Sequence, residues 1–144
     1  MTTPFAGAAA RVRDGADAHV EARALVAAMT LEEKLGCLDG DTPFWDGLID
    51  GLQGGYYEHT YPAAAVPRLG IPGFAFSDGP RGVVVGQATA FPVSMARGAT
   101  FDPDLEARVG DAIGRELRAL GGNFFGGVCI NLLRHPAWGR HHRL

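Results

Sequence analysis

The sequence contains few cysteines and no pattern of metal ligands. Its 144 residues include only Cys37 and Cys129, far apart and without CxxC spacing. This scarcity excludes a dense disulfide framework and fits two small thiols in a reducing compartment. The five histidines include His135, His141 and His142, but no cysteine or carboxylate stands at a zinc-binding spacing from them. We therefore predict no metal site.

The sequence also has little net charge and no long apolar run. A formal net charge of -3 provides no basic field for a polyanion, which argues against nucleic acid or an anionic membrane as a partner. The sequence contains no run of about 18 apolar residues, the length that a helix needs to span a bilayer. Charged residues from Arg11 to Asp17 interrupt the first segment before an export signal could form. We expect a cytoplasmic protein with a small or neutral ligand.

The first third of the chain contains two helical patterns. Apolar periodicity over residues 18–29 predicts an amphipathic helix, which makes 1–17 an N-terminal extension. Thr30 and Glu33 have the spacing of a capping box, so a second helix should follow directly. Its apolar residues are expected to face inward; they are Leu31, Leu35 and Leu38.

A strand, a helix and a strand then follow in order. Residues 73–77 (GFAFS) and 127–133 (GVCINLL) are apolar runs typical of buried strands. Between them, Asp102 is a predicted N-cap for a helix that ends near residues 121–122. Its inward stripe should be Leu105, Val109, Ala112, Ile113, Glu116, Leu117 and Leu120. This order predicts a parallel βαβ unit, in which Asp78 and Arg134 follow the carboxyl ends of neighbouring strands.

Residues 40–70 have no clear period and are predicted to form a long loop. The segment is rich in glycine and in aromatic residues, which could stack on sugar rings or could simply pin the loop to the core. The glycine run at 51–55 lacks the pattern of a phosphate-binding loop. The aromatic residues are Phe44, Trp45, Tyr56, Tyr57 and Tyr61.

Five motifs cover most of residues 20–140; they are MTLEEKLG (29–36), VPRLGIPGF (66–74), SDGPRGV (77–83), FPVSMARGATFDPDL (91–105) and NLLRHPAWGR (131–140). Together they resemble the N-terminal barrel domain of glycoside hydrolase family 3, the β-glucosidase-like family. The resemblance implies an α/β fold made of the first units of an incomplete (β/α)8 barrel, with residues 18–144 as part of the barrel domain. It also implies retaining hydrolysis of β-glucosides or related oligosaccharides without a metal or organic cofactor.

The resemblance assigns two residues to sugar binding. Asp78 matches the aspartate that binds hydroxyls in the cleavage subsite, and a carboxylate can accept two hydroxyl hydrogen bonds at once. The alternative is that Asp78 only ties its own turn. Arg140 matches the arginine that holds the same sugar, and its alternative is an exposed surface role. Arg81 should be structural or solvent-facing, and Trp138 should pack the loop.

The sequence departs from the family after the WGR segment. The family pattern continues with an acidic stretch, whereas this chain reads HHRL up to Leu144. The nucleophile and the acid/base are therefore expected beyond Leu144. Retaining hydrolysis needs two carboxyl groups about 5 Å apart, so we expect the chain alone to be inactive. The missing remainder of the barrel is then an expected partner.

Two alternative functions remain at this stage. One is a non-catalytic carbohydrate-binding or interaction fragment, which could self-associate through an open sheet edge. The other is a small α/β domain that binds an anion at the amino end of the helix starting at Pro103. Asp102 and Asp104 occupy that end and argue against the anion.

Overall fold

A computed structural model describes residues 2–127, 129, 132 and 134–139 of the chain, which has α/β character. It divides into two compact units, residues 1–46 with 62–74 and residues 47–61 with 75–144. None of the helices in the described part combines the length and apolarity needed to cross a bilayer. The elements are α1 (Pro4–Arg13), α2 (Ala18–Ala28), α3 (Leu31–Gly36), α4 (Phe44–Leu52), β1 (Tyr61–Ala63), β2 (Phe74–Ser77), α5 (Ser94–Gly98), α6 (Pro103–Ala119) and β3 (Phe124–Phe125), with 3₁₀ turns at Gly55–Tyr57 and Pro67–Leu69.

The first unit begins with two packed helices. Thr3 caps α1 and Asp17 caps α2, each through a side-chain oxygen that accepts backbone N–H groups. The Arg11 guanidinium donates to both carboxylate oxygens of Glu21, at 2.8 and 2.7 Å, and so links the two helices. The observed bounds of α2 confirm the helix predicted over 18–29, while the boundary of the extension at residue 17 stays a prediction.

The capping box predicted at the start of α3 is confirmed. Glu33 N donates to Thr30 Oγ1 at 3.1 Å, and Thr30 N donates to Glu33 Oε2 at 2.9 Å. The Arg68 guanidinium donates to both oxygens of Glu33, at 2.8 and 2.7 Å, and also to the carbonyl of Ala28 at 2.8 Å. These hydrogen bonds, first from Arg68 and then from the Thr30 backbone, lower the pKa of Glu33 to about 2.

The predicted inward face of α3 is wrong. Leu31, Leu35 and Leu38 are 73%, 58% and 85% exposed. The helix has six residues and ends at Gly36, so Leu38 lies beyond it. Fewer than two helical turns cannot present a continuous apolar stripe to a core.

The prediction that residues 40–70 form one long loop is also wrong. The segment contains α4, β1 and both 3₁₀ turns. Helix α4 (FWDGLIDGL) includes Gly47 and Gly51, whose low helix propensity obscures the four-residue spacing of its apolar side chains. Those side chains are exposed; they are Phe44, Trp45, Leu48, Ile49 and Leu52.

The core of the second unit forms around α6. Asp102 caps this helix by accepting from Leu105 N at 2.9 Å, as the sequence predicts. Val109, Ile113 and Leu117 of the predicted stripe are buried and pack with Val83 and Val85. Glu116, the polar member of the stripe, accepts hydrogen bonds from the Thr89 backbone at 3.0 Å and hydroxyl at 2.6 Å.

The strands that flank α6 are parallel, as predicted, with Phe76 opposite Phe124 and Ser77 opposite Phe125. The sheet order is β1-β2-β3. The second strand, however, is β3 and precedes the predicted range 127–133, of which residues 128, 130, 131 and 133 lie outside the described part. Asn123 determines this register, because its N–H donates to the Ala75 carbonyl at 2.9 Å and its Oδ1 accepts from Ala75 N at 2.7 Å.

Candidate functional site

Asp78 lies directly after β2, at the carboxyl end of the strand where the sequence places it. The preceding Ser77 is 2% exposed, and its hydroxyl donates to the Asp78 carbonyl at 3.0 Å. The same carbonyl accepts from Val84 N at 3.3 Å, and Gly126 N, just after β3, donates to the Ser77 carbonyl at 2.9 Å. The ends of two parallel strands therefore hold the backbone of Asp78.

The turn after Asp78 is tight and depends on glycine. Gly79 has a φ of 141°, and a Cβ there would clash with the carbonyl oxygen of Gly82. Gly82 N donates to the Gly79 carbonyl at 3.1 Å, so peptide groups close this turn. Arg81 is exposed, in agreement with its predicted structural or solvent-facing role, and Phe91 N donates to its carbonyl at 2.7 Å.

The Asp78 carboxylate accepts a hydrogen bond from Tyr56. The Tyr56 hydroxyl lies 2.9 Å from Asp78 Oδ2 in a partly buried position. This bond comes from a different segment of the chain, not from the turn that Asp78 opens. It therefore weighs against the alternative that Asp78 only ties its own turn.

Tyr56 belongs to a cluster of aromatic residues. The sequence left open whether these residues stack on a sugar or pin the loop to the core. Its ring centroid lies 5.0 Å from that of Tyr57 in an edge-to-face arrangement and 6.3 Å from that of Tyr61. Tyr61 in turn lies 5.8 Å from Phe76 of β2. These separations are typical of packed aromatic pairs, and they support the pinning interpretation for Tyr61.

A second polar cluster holds the same segment of the chain. Asp50 Oδ1 lies 3.1 Å from His59 Nε2, and Asp50 Oδ2 accepts from the Tyr61 hydroxyl at 3.2 Å. His59 Nδ1 lies 3.3 Å from the Thr60 carbonyl, so both ring nitrogens face acceptors. The hydrogen bond to Asp50, followed by the one to Thr60, raises the pKa of His59. Burial, followed by Asp50, raises the pKa of Tyr61. Sequence reasoning missed this cluster, since its spacing matches no local motif.

Arg140, the second predicted sugar-binding residue, lies outside the described residues. Arg134 is exposed, Trp138 is partly buried, and Trp138 N donates to the His135 carbonyl at 3.1 Å. The role predicted for Trp138 stays a prediction, whereas Arg134 does not follow β3 directly, because β3 ends at Phe125. This segment borders an open cavity of about 570 Å³, which is lined by Leu132, Arg134, His135, Ala137 and Trp138.

The described residues give little support for a metal site, a disulfide or an anion site. Among them, no group of three or more His, Cys, Asp or Glu side chains is arranged to hold a metal ion. Cys37 and Cys129 are free thiols. At the amino end of α6, Asp102 already caps the helix, and Asp104 and Glu106 add negative charge that opposes a bound anion.

Comparison with known proteins identifies relatives over most of the chain. Beta-glucosidase 2 of Saccharomycopsis fibuligera is 39% identical over 106 residues, which are 73% of this chain and 11% of that protein. Probable beta-glucosidase F of Aspergillus flavus is 35% identical over 132 residues, 90% of this chain and 14% of that protein. A beta-glucosidase of Rhizobium radiobacter is 32% identical over 120 residues, 78% of this chain and 13% of that protein.

The chain thus spans only 11% to 14% of the length of these curated relatives. No family model matches the chain, and no solved structure matches it.

Proposed function

We propose that this chain supplies a sugar-binding edge for β-glucoside hydrolysis. The premise is that the chain is a relative of the β-glucosidases and is similar to a part of glycoside hydrolase family 3. The observation that carries the proposal is the Asp78 carboxylate at the end of β2, with the Tyr56 hydroxyl 2.9 Å away. Ligand groups of α/β folds gather at this edge of the sheet. A carboxylate there can accept strong, charge-assisted hydrogen bonds from sugar hydroxyls.

One feature of the fold supports the proposal that the chain forms part of a barrel. Parallel β2 and β3 with α6 between them form one βαβ unit of the kind that repeats in a (β/α)8 barrel. A complete barrel takes about 250 residues, so in this proposal the chain supplies only the first units of one. In this proposal Arg140 holds the same sugar as Asp78.

The proposed chemistry is divided between this chain and further residues. Retaining hydrolysis needs one carboxylate to attack the sugar and one carboxylic acid to protonate the leaving group, about 5 Å apart. Asp78 is assigned to hold hydroxyl groups and cannot perform both steps. The chain alone is therefore proposed to bind a β-glucoside without cleaving it, and no metal or organic cofactor takes part.

The test is an NMR titration of the labelled chain with methyl β-D-glucoside, alongside an assay of aryl β-glucoside hydrolysis. Asp78→Asn should weaken binding at least tenfold, roughly the effect of losing a hydrogen bond to a charged group. Asp111→Asn is the matched control, because Asp111 is exposed and pairs with Arg115 at 2.8 Å. Equal binding by the wild-type and Asp78→Asn chains would overturn the sugar-binding role. Turnover by the wild-type chain would overturn the division of the chemistry.

A second candidate function is an interaction fragment that pairs through its sheet edge. Strand β3 is an outer strand of the described sheet, and its Phe124 is 50% exposed. In this proposal the sheet edge at β3 meets a second copy of the chain. Sedimentation velocity should then show association that rises with concentration and falls in Phe124→Lys. A monomer at every concentration would rule out self-association.

A further inference from the structure

We infer that Tyr56 is a positioning residue that orients the Asp78 carboxylate toward the hydroxyl groups of a neutral sugar. This inference rests on the proposed function and assigns Tyr56 a part in the same site. The hydrogen bond between Tyr56 Oη and Asp78 Oδ2, 2.9 Å long, joins residues 22 positions apart. Without a partner, a carboxylate rotates easily about its last torsion. The tyrosine hydroxyl restricts that rotation and fixes the direction in which Asp78 Oδ1 points.

The pair also determines which chemistry the site accepts. The Tyr56 hydroxyl has one hydrogen, and that hydrogen is donated to Asp78 Oδ2. When it is ionised, the carboxylate only accepts hydrogen bonds. Its oxygens therefore match the donating hydroxyls of a pyranose ring. Carboxylates and phosphates, which lack such donors, would be repelled by the charge of Asp78.

The backbone holds Tyr56 in place independently of its hydroxyl. Tyr56 lies within the 3₁₀ turn Gly55–Tyr57, and Gly86 N donates to the Tyr57 carbonyl at 2.7 Å. The Tyr56 ring also packs against Tyr57 and Tyr61. Removing the hydroxyl alone should therefore leave the ring where it is. Tyr56→Phe is accordingly a clean test, and Tyr57→Phe is a matched control on a tyrosine that is 63% exposed.

The experiment is an NMR titration of the full chain with methyl β-D-glucoside and its four monodeoxy analogues. Wild type, Tyr56→Phe, Tyr57→Phe and Asp78→Asn are compared, and their amide spectra report the fold. Tyr56→Phe should bind the glucoside several-fold to about tenfold more weakly, the scale of a hydrogen bond to a charged group, while Tyr57→Phe should match wild type.

The deoxy analogues separate positioning from a general structural effect. For the analogue that lacks the hydroxyl held by Asp78, wild type and Tyr56→Phe should bind equally. An equal loss for every analogue would overturn the inference, as would unchanged binding of the glucoside by Tyr56→Phe. If Asp78→Asn still loses binding in that last case, the proposed function stands without Tyr56. If the wild-type chain binds no glucoside, both proposals are overturned.

Discussion

Gly126 leaves the space that the Asp78 carboxylate occupies, because a Cβ added at position 126 would lie 2.9 Å from Asp78 Oδ1. Real Cβ atoms do not approach an oxygen so closely, and the flexible side-chain tip would yield before the backbone does. The Tyr56 hydroxyl therefore holds the carboxylate at Oδ2, while Oδ1 lies close to the space that a side chain at position 126 would fill.

Gly126→Ala should consequently reduce glucoside binding several-fold and change the free energy of unfolding by less than about 1 kcal/mol. Gly126 is not among the described glycines with positive φ, so alanine suits its backbone. Titration with methyl β-D-glucoside and urea denaturation measure the two effects. Unchanged affinity would show that the orientation of Asp78 does not matter to the ligand.

Gly110→Ala in α6 should stabilise the chain by about 0.5 to 1 kcal/mol, since alanine has the higher helix propensity. A Cβ at Gly110 meets nothing within 4 Å. Gly79→Ala is the opposing variant, because its φ of 141° suits only glycine and its Cβ would clash with Gly82. Urea denaturation should place the two variants on opposite sides of wild type, and a destabilised Gly110→Ala chain would contradict this account of α6.

Thr30→Ala should destabilise the first unit by about 1 kcal/mol, through loss of the cap on α3. The Thr30 hydroxyl accepts from Glu33 N at 3.1 Å. Thr30→Ser keeps that oxygen and is the control. Thermal unfolding should rank wild type and Thr30→Ser together above Thr30→Ala. Equal stability of the alanine and serine variants would mean that the cap contributes nothing.

His59 should make the stability of the second unit depend on pH. Its pKa is raised in the folded chain, first by Asp50 and then by the Thr60 carbonyl. A raised pKa contributes stability that is fully present below the unfolded value of about 6.5 and is lost as the pH rises through the folded value. The imidazole side chain is 51% exposed, so the contribution should stay below about 1 kcal/mol.

Denaturation from about pH 5.5 to about pH 8 measures this contribution. His59→Gln and Asp50→Asn should each flatten the pH dependence relative to wild type, because each removes one partner of the ion pair. An unchanged slope in both variants would show that the pair at 3.1 Å does not couple to folding.

Local signals in the sequence predicted α2, the capping box, β2 and α6, because each depends on residues a few positions apart. The DGP turn and the order of motifs also indicated the relationship to β-glucosidases, which the comparisons confirm. The same local reasoning failed for α4, whose two glycines weaken its helical signal, and for the α3 leucines. A side chain on a short helix is buried only if another segment covers it, and no pattern within α3 reports that.

The sequence by itself therefore determined the helix caps, the buried stripe of α6 and the placement of Asp78 at a strand end. Only the tertiary structure decided that Tyr56 donates to Asp78, that Asp50 pairs with His59 and that Thr89 binds Glu116. Caps and periodicity follow from the fixed rise and twist of a helix over neighbouring residues. Hydrogen bonds between separate segments depend on how the intervening turns bring those segments together, and sequence spacing does not encode that path.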